Sequence, residues 1–414
     1  MASSGLALQS GVAARGAAHR LKAPALRREA GGARPHRETA SGPRCEASTS
    51  GADAPLGVDR RVVLGAAAAA GAAGALGLGL PPAAEANRVV SSSWEQVELP
   101  ISPEIVLLDI GFTGSNPNHG FLLGTRQTLL ETTDGGSTWT KRDIQAALDE
   151  GFNYRFTSID FAGDEGWIVG KPAILLHTTD GGANWERIPL SGKLPGTPIV
   201  ITALPGAKGQ AEMTTDQGAI YVTSDGAYTW RAAVQETVDA TLNRTVSSGI
   251  SGASYYEGYF ANINRSKSGD YVAVSSRGNF YMTWSPGDQF WSPHNRPIAR
   301  RVQNMGWTVD NKLWLTTRGG DVYVASDPGI SESFKQTQIG ARGFGILDVG
   351  FRNEKEGYAC GGSGSLFKTV DGGKTWKRDR SFDDIPANLY DINFKNGKNG
   401  FVLGNNGVLL KYIA

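Results

Sequence analysis

The chain has 414 residues, of which 40% are hydrophobic and 20% are charged, so it is long and apolar enough to bury at least one large core. A formal net charge of +1 argues against a strongly basic nucleic-acid-binding protein, and two cysteines argue against a fold held by several disulfide bonds. The 55 glycines and ten tryptophans indicate many short strands joined by tight turns.

The first 50 residues have the composition of an organelle transit peptide. They are rich in Ala, Arg, Ser and Gly, and their acidic residues are Glu29, Glu38 and Glu46. We therefore predict a chloroplast transit peptide over residues 1–50.

A second targeting signal is predicted over residues 51–86. Arg60-Arg61 forms a twin-arginine pattern, an uncharged run rich in Ala and Gly covers 62–80, and Ala84-Glu85-Ala86 has the form of a cleavage site. The uncharged run could instead be a membrane anchor, since its length would barely span a bilayer. Its weak hydrophobicity and the cleavage site favour a cleaved signal, so the processed protein is expected to cover residues 87–414.

The remaining chain has a different charge balance from the whole. Beyond residue 86 there are 31 basic and 34 acidic residues, so any basic site there must be local. Cys45 lies before this point and Cys360 after it. The processed protein therefore has no pair of cysteines for an intrachain disulfide or a cysteine-based zinc site.

One eight-residue sequence recurs four times along the chain. It reads TTDGGSTW at 132–139, TTDGGANW at 178–185, TSDGAYTW at 223–230 and TVDGGKTW at 369–376. The first three copies end 46 and 45 residues apart. Trp291 and Phe334 fit two degenerate copies in the long interval before the last, which leaves an insertion near residues 234–258. A fixed period of about 45 residues is typical of a propeller or solenoid.

Each unit contains three short apolar runs before the box and a fourth run after it. The last unit stops at Ala414 after its third run, whereas SSSWEQVEL at 91–99 is a fourth run with no preceding three. The N-terminal strand can therefore complete the C-terminal blade and hide both edges. We predict an all-β, seven-bladed β-propeller of four-stranded blades, with its ring closed in this way.

The repeated box is predicted to be a structural turn, because a motif present in several blades does not mark a single active site. Its glycines supply the positive φ that a tight hairpin needs, its Asp can accept backbone N–H groups, and its Trp can fill space between blades. The residues given this structural role are Asp134, Trp139, Asp180, Trp185, Asp225, Trp230, Asp371 and Trp376.

Motifs for catalysis or metal binding are weak or missing in the sequence. His119, His177 and His294 stand alone, and no phosphate loop or G-x-S-x-G nucleophile motif is found. We therefore predict no enzymatic activity, no catalytic residue, no metal and no cofactor.

Three carboxylates in innermost strands are the remaining candidates for glycosidase-like chemistry, which needs paired carboxylates. Asp109, Asp348 and Asp391 occupy equivalent positions in their blades. This recurrence favours a structural hydrogen bond that is repeated from blade to blade.

Arginines gather on one side of the predicted disc. Turns between strands 2 and 3 and the connections between blades lie on one face, here called the arginine face, and the boxes lie on the opposite box face. Charged residues in loops are normally just solvated, which is the alternative interpretation of these arginines. The arginines over blades 3 to 5 are concentrated in a chain that is otherwise slightly acidic, and the forked donors of their guanidinium groups suit carboxylates. The predicted partner-binding residues are Arg155, Arg244, Arg265, Arg277, Arg300, Arg301, Arg318 and Arg342. The predicted aromatic rim is Tyr255, Tyr256, Tyr259 and Phe260.

Two resemblances follow from these motifs. The boxes resemble the Asp-box, or BNR repeat, of sialidases and related propellers. SSRGNFYMTW at 275–284 and HNRPIARRVQNMGW at 294–307 are more specific, and with the boxes they make residues 87–414 resemble the photosystem II stability/assembly factor family of chloroplasts and cyanobacteria.

The second resemblance implies a seven-bladed propeller of the thylakoid lumen without known enzymatic activity. It implies binding of the newly made reaction-centre subunit precursor and of early photosystem II assembly intermediates, with Arg277, Arg300, Arg301 and Arg318 as the best positions for docking. We further expect a monomer that is soluble or peripherally attached to the thylakoid membrane through its partner, and no nucleic acid. The presequence is similar to the bipartite presequences of lumenal proteins.

The alternative interpretation is a sialidase-like or glycan-binding Asp-box propeller. Sialidases use a Tyr nucleophile and three central arginines, and their early Arg-Ile-Pro signature is not found in this sequence. A lumenal address also offers a sialidase no obvious substrate.

Overall fold

The structure is a computed structural model in which the described residues are 87–148, 151–235, 237, 258–337, 339–340, 345–395 and 399–414. Both predicted targeting signals and most of the insertion predicted near 234–258 lie outside these residues. The described residues form seven antiparallel sheets arranged as a seven-bladed β-propeller, which confirms the predicted fold class.

The blades follow one another along the chain, each with four strands. Two strands precede the first blade, β1 (Arg88–Val89) and β2 (Trp94–Val97). Blade 1 contains β3 (Leu107–Phe112), β4 (Gly120–Gly124), β5 (Leu129–Thr132) and β6 (Thr140–Arg142). Blade 2 contains β7 (Arg155–Ala162), β8 (Glu165–Lys171), β9 (Ile174–Thr178) and β10 (Glu186–Arg187). Blade 3 contains β11 (Pro198–Ala203), β12 (Ala211–Thr215), β13 (Ile220–Thr223) and β14 (Arg231–Ala232).

The second half of the ring repeats this order. Blade 4 contains β15 (Phe260–Arg265), β16 (Tyr271–Ser275), β17 (Phe280–Trp284) and β18 (Ser292–Asn295). Blade 5 contains β19 (Val302–Trp307), β20 (Lys312–Thr317), β21 (Val322–Pro328) and β22 (Phe334–Gln336). Blade 6 contains β23 (Ile346–Phe351), β24 (Gly357–Gly361), β25 (Leu366–Thr369) and β26 (Lys377–Asp379). Blade 7 contains β27 (Leu389–Lys395), β28 (Asn399–Gly404) and β29 (Leu409–Tyr412), with β2 as its fourth strand.

The described residues contain two short helical segments between strands. Helix α1 (Gln145–Leu148) lies between blades 1 and 2, and a 3-10 turn covers Arg380–Phe382. Within the described ranges, no helix combines the length and the apolar character needed to cross a bilayer.

The ring closes where the sequence predicted it would. Strand β2 pairs with β29, so that Trp94 lies opposite Tyr412 and Val97 opposite Leu409. Trp94 is fully buried and makes edge-on contacts with Tyr358 and Tyr412, with ring centroids 5.2 Å apart in each case. Strand β1 pairs with the outer side of β2 as a fifth strand, which the sequence did not predict. This extra hairpin covers the edge that β2 would otherwise expose.

The innermost strands are joined across blades by side-chain to backbone hydrogen bonds. Asp109 Oδ2 accepts the Ile159 N–H of blade 2 at 2.9 Å, and Asp348 Oδ2 accepts the Ile392 N–H of blade 7 at 2.9 Å. The predicted structural role is therefore confirmed for Asp109 and Asp348. Burial and the neighbouring charge of Asp391 raise the pKa of Asp348 well above its usual range.

Candidate arginine-rich interface

Four predicted arginines lie on the arginine face of blades 4 and 5. Arg277 is in the turn between β16 and β17, Arg318 is in the turn between β20 and β21, and Arg300-Arg301 end the connection from blade 4 to blade 5. All four side chains are exposed. Because strands alternate in direction, both kinds of loop reach the same side of the disc.

Backbone hydrogen bonds tie these loops to one another. Val302 N–H donates to Gly278 O at 2.9 Å, which fixes the end of the connection against the turn of Arg277. Arg318 N–H donates to Arg301 O at 3.0 Å, which fixes the next turn against the same connection. The four arginines therefore belong to one continuous stretch of rigidly connected loops.

Gly278 is required for this close approach. Its φ of +68° lies in the left-handed region, and a Cβ at this position would lie 2.0 Å from the carbonyl oxygen of Val302. Any other residue would separate the turn of Arg277 from the connection that carries Arg301.

Several cations of this face are paired with carboxylates of the same face. Arg126 lies 2.9 Å from Glu104, Lys171 lies 2.9 Å from Asp216, and Arg300 Nε lies 3.3 Å from Asp321 Oδ2. These carboxylates could not be predicted from the sequence as partners of the cations. Each carboxylate lies in a different loop from its cation or across a turn from it. Exposed pairs of this kind contribute about 0–1 kcal/mol to stability.

Four other arginines of this face have no such partner among the described residues. Within the described part of the chain, Arg155, Arg296, Arg301 and Arg318 have no carboxylate oxygen within 4.0 Å. Their guanidinium donors are therefore available to an incoming anion. Arg301 and Arg318 lie in adjacent loops, because their backbones are hydrogen-bonded to each other.

Arg265 does not lie with this group. It ends strand β15, where the chain turns on the box face, and its Nε donates to Glu212 Oε1 at 2.7 Å. Tyr271 donates to the same oxygen at 2.8 Å, and the Arg265 side chain is only 19% exposed. The prediction that Arg265 lies on the arginine face is therefore wrong, because the residue lies at the box-face end of its strand. Arg244 and Arg342 lie outside the described residues.

Arg155 lies on the arginine face at the start of β7, two blades away from the blade 4–5 group. It is exposed, and its Cα lies opposite that of Lys171 across the blade. Of the predicted aromatic rim, Tyr259 is 43% exposed, whereas Phe260 is buried and packs on Trp291 with ring centroids 5.8 Å apart. Phe260 is thus a core residue, and Tyr255 and Tyr256 lie outside the described residues.

On the box face, the box carboxylates are used within their own turns. Asp134 Oδ1 accepts the N–H groups of Ser137 and Thr138 at 2.9 Å each, and its Oδ2 accepts the Thr138 hydroxyl at 2.6 Å. Burial raises the pKa of Asp134, but these hydrogen bonds outweigh it and lower the pKa to about 2. Asp180, Asp225 and Asp371 also have lowered pKa values and make the same kind of contacts.

The box tryptophans pack toward the preceding blade. Trp139 lies in one core cluster with Phe401 of blade 7, and Trp376 packs against a cluster that contains Trp314 of blade 5. Trp139 also closes its own turn by donating to Gly136 O at 3.1 Å. Both parts of the box are therefore used to build the fold.

A polar cavity of about 680 Å³ lies at the centre of the ring. The described residues that line it include Asn262, Asn304, Asp348 and Asp391, and their one arginine is Arg265. Asn304 Nδ2 donates to Asp348 Oδ1 at 2.9 Å. The three central arginines of a sialidase therefore have no counterpart among the described lining residues.

The described residues form a seven-bladed propeller with exposed arginines in loops of blades 4 and 5, on the side opposite its Asp-boxes. Residues 86–413 match the family model described as "Photosynthesis system II assembly factor YCF48". The chain belongs to this family.

Relatives of known identity agree with this assignment. The chain is 58% identical over 299 residues to the chloroplastic photosystem II stability/assembly factor HCF136 of Arabidopsis thaliana, which covers 72% of this chain and 74% of the relative. The solved structure of YCF48 from Cyanidioschyzon merolae is 47% identical, with a TM-score of 0.71, and the match covers 78% of this chain and 98% of that one. A second solved structure, described as YCF48 bound to D1 peptide, is 42% identical, with a TM-score of 0.69, and the match covers 80% of this chain and 100% of that one.

Proposed function

We propose that this protein is a non-enzymatic photosystem II assembly factor that binds the newly made reaction-centre subunit precursor through its arginine face. The observation that carries the proposal is the pair Arg301 and Arg318, which are exposed, joined through their backbones and without a carboxylate partner in the described structure. A relative of 42% identity has been solved with a D1 peptide bound, which supports a peptide of the reaction centre as the ligand.

The chemistry of this face suits an acidic, extended segment. Guanidinium groups bind carboxylates through two parallel hydrogen bonds, and such pairs are shorter and stronger than neutral hydrogen bonds. The loops are held in place by backbone hydrogen bonds, so little ordering is needed when a ligand arrives. Complementary charge would also speed the encounter and select acidic segments over basic ones.

The proposal includes a location in the thylakoid lumen. The twin-arginine signal predicted over residues 51–86 and the chloroplastic relatives support delivery to the thylakoid lumen. There the protein would act as a monomer on early assembly intermediates and would contact the membrane through its partner. Catalysis is not part of the proposal, since the box carboxylates are committed to turns and the buried Asp348 to its neighbours.

A capture experiment tests the proposal. Purified protein is added to solubilised thylakoids after pulse labelling, and the captured reaction-centre subunit is quantified. We expect the unmodified protein to enrich the newly made precursor and Arg300→Ala/Arg301→Ala to lose it. Equal capture by the double variant would contradict the role of the arginine face. Hydrolysis of a sialoside by the pure protein would favour the sialidase-like alternative.

A further inference from the structure

A cleft lies between blades 5 and 6 on the box face. Its volume is about 840 Å³, whereas a smaller cleft between blades 1 and 2 measures about 180 Å³. The smaller cleft is lined by Ile144 and Gln145, which precede and begin helix α1, and by Trp185. The larger cleft lies beside blade 5, which has no DGG box and carries SDPGISESF in its place.

Three exposed lysines from three separate elements line this cleft. Lys335 is in the outer strand β22, Lys355 is in the turn between β23 and β24, and Lys374 is in the box of blade 6. Within the described residues, none of the three has a carboxylate oxygen within 4.0 Å. Lys312 also lines the cleft, but it is paired with Asp310 at 2.7 Å. We define Lys335, Lys355 and Lys374 as the lysine cleft.

The carboxylates of the cleft do not cancel these charges. Asp371 accepts the N–H groups of Lys374 and Thr375 at 3.0 Å and the Thr375 hydroxyl at 2.6 Å, so its oxygens are directed into its own turn. Asp310 is used by Lys312. Glu354 is the remaining acidic residue among the described lining residues, so the cleft has three unpaired lysines and one further carboxylate.

The box of blade 6 differs from the other boxes at the positions that face the cleft. The residue before its Asp is Val370, which is 68% exposed, where the other boxes have Thr133, Thr179 and Ser224. Lys374 takes the place of Ser137, Ala183 and Tyr228. The turn itself needs neither an apolar nor a basic residue at these positions, because the turn geometry is made by Asp, Gly and Thr. These two departures therefore provide an aliphatic contact and a cation beside the cleft.

We propose that the lysine cleft is a second protein-binding site, which takes an acidic segment that also carries an aliphatic side chain. Carboxylates of the segment would contact Lys335, Lys355 and Lys374, and the aliphatic side chain would cover Val370. The cleft lies on the box face, so it can be occupied while the arginine face holds its own partner. The site is independent of the function proposed above, because it shares no residue with the arginine face.

Carbodiimide cross-linking tests this site directly, because the reagent joins carboxylates to lysine amines and leaves guanidinium groups unreacted. The probe is a synthetic nonapeptide with three repeats of Glu-Glu-Leu, and cross-links to the purified protein are mapped by mass spectrometry. We expect them to concentrate at Lys335, Lys355 and Lys374. Cross-links spread evenly over all exposed lysines, or concentrated at Lys171 of the arginine face, would overturn the proposal.

Charge reversal gives an independent readout. Lys335→Glu/Lys355→Glu/Lys374→Glu is expected to weaken binding of the same probe at the cleft by about tenfold, measured on a background that carries Arg301→Ala/Arg318→Ala. The matched control, Lys193→Glu/Lys208→Glu/Lys267→Glu, changes three other exposed lysines by the same charge and should bind like its parent. If the reversed protein does not fold, the three Lys→Gln substitutions replace it.

An anionic membrane surface is the competing occupant, and the same proteins distinguish it. Binding to vesicles containing phosphatidylglycerol that is lost on charge reversal, without binding of the peptide, would overturn the assignment to a protein partner. Peptide binding that is equal in the reversed and the control variants would overturn the site itself.

Discussion

Arg300 and Asp321 form an ion pair between two loops of the arginine face, with 3.3 Å between Nε and Oδ2. Asp321 also accepts the Thr317 hydroxyl at 3.2 Å, so it is held by the turn that carries Arg318. The Arg300 side chain is 61% exposed, so an acidic ligand can reach it. Asp321 therefore competes with such a ligand for the Arg300 guanidinium group.

We predict that Asp321→Asn tightens binding of an acidic peptide to the arginine face. The substitution removes an internal competitor, and exposed pairs contribute about 0.2–1 kcal/mol, so affinity should rise by a factor between about 1.4 and 5. Fluorescence anisotropy with a D1 peptide measures the change. Asp327→Asn, an exposed change near the end of β21 on the opposite face, is the control and should leave affinity as it was. Weaker binding by Asp321→Asn would show that the carboxylate supports the site instead of competing for it.

Arg265 is predicted to stabilise the fold without contributing to the arginine face. Arg265→Ala would leave Glu212, whose side chain is 8% exposed, without its positive partner, at a cost of about 3 kcal/mol. Thermal unfolding should therefore occur several degrees lower, while the D1 peptide binds with unchanged affinity below the transition. Unchanged thermal stability together with lost binding would reverse this assignment.

The box carboxylates should make the protein less stable in acid. The pKa of Asp134 is about 2 in the folded state, below its ordinary value of 3.8, so its contribution is present above pH 4 and is lost as pH falls toward 2. Urea unfolding between pH 4 and pH 2 should show this loss, and Asp134→Asn should show a smaller one. The same dependence in the parent and the variant would mean that the turn does not hold the carboxylate in its charged form.

Asp348 should have the opposite pH dependence. Its pKa is raised by burial and by Asp391, so the folded protein holds a proton that the unfolded chain has released above about pH 4. Stability from this group therefore falls as pH rises from about 4 toward the raised pKa, and levels off above it. Urea unfolding between pH 5 and pH 8 should show a weaker slope for Asp348→Asn than for the parent.

Asp391→Asn is the companion variant for this measurement. It removes only the neighbouring charge, so it should reduce the slope less than Asp348→Asn does. An identical slope in the parent and both variants would show that this carboxyl pair does not titrate in the range.

The blade number and the ring closure could be predicted from sequence because they depend on local and periodic signals. Each box turn places a Trp directly before the outer strand of its blade, as Trp139 precedes β6. The fourth strand that is missing before Ala414 matches the extra strand at Trp94. Strand β1 could not be predicted, because its two residues, Arg88 and Val89, are too few to show an alternating pattern.

The candidate site was less predictable, because side-chain facing depends on strand register. Arg265 was placed on the wrong face because the end of β15 could not be located from an apolar pattern alone. Phe260 looked like a loop aromatic, but it begins that strand and fills the core beside Trp291. The pairing of Arg300 with Asp321 depends on a turn conformation that no local sequence signal specified.

The central claim is that Arg301 and Arg318 together hold an acidic segment of the reaction-centre subunit. Affinity of the purified protein for a fluorescent D1 peptide, compared with that of Arg301→Ala/Arg318→Ala, tests it most directly. Charged hydrogen bonds contribute about 1.5–3 kcal/mol each, so we predict a loss of at least about tenfold that shrinks at high salt. Arg88→Ala/Arg231→Ala, which removes two exposed arginines of outer strands, should bind like the parent. Equal affinity of the parent and Arg301→Ala/Arg318→Ala would contradict the account.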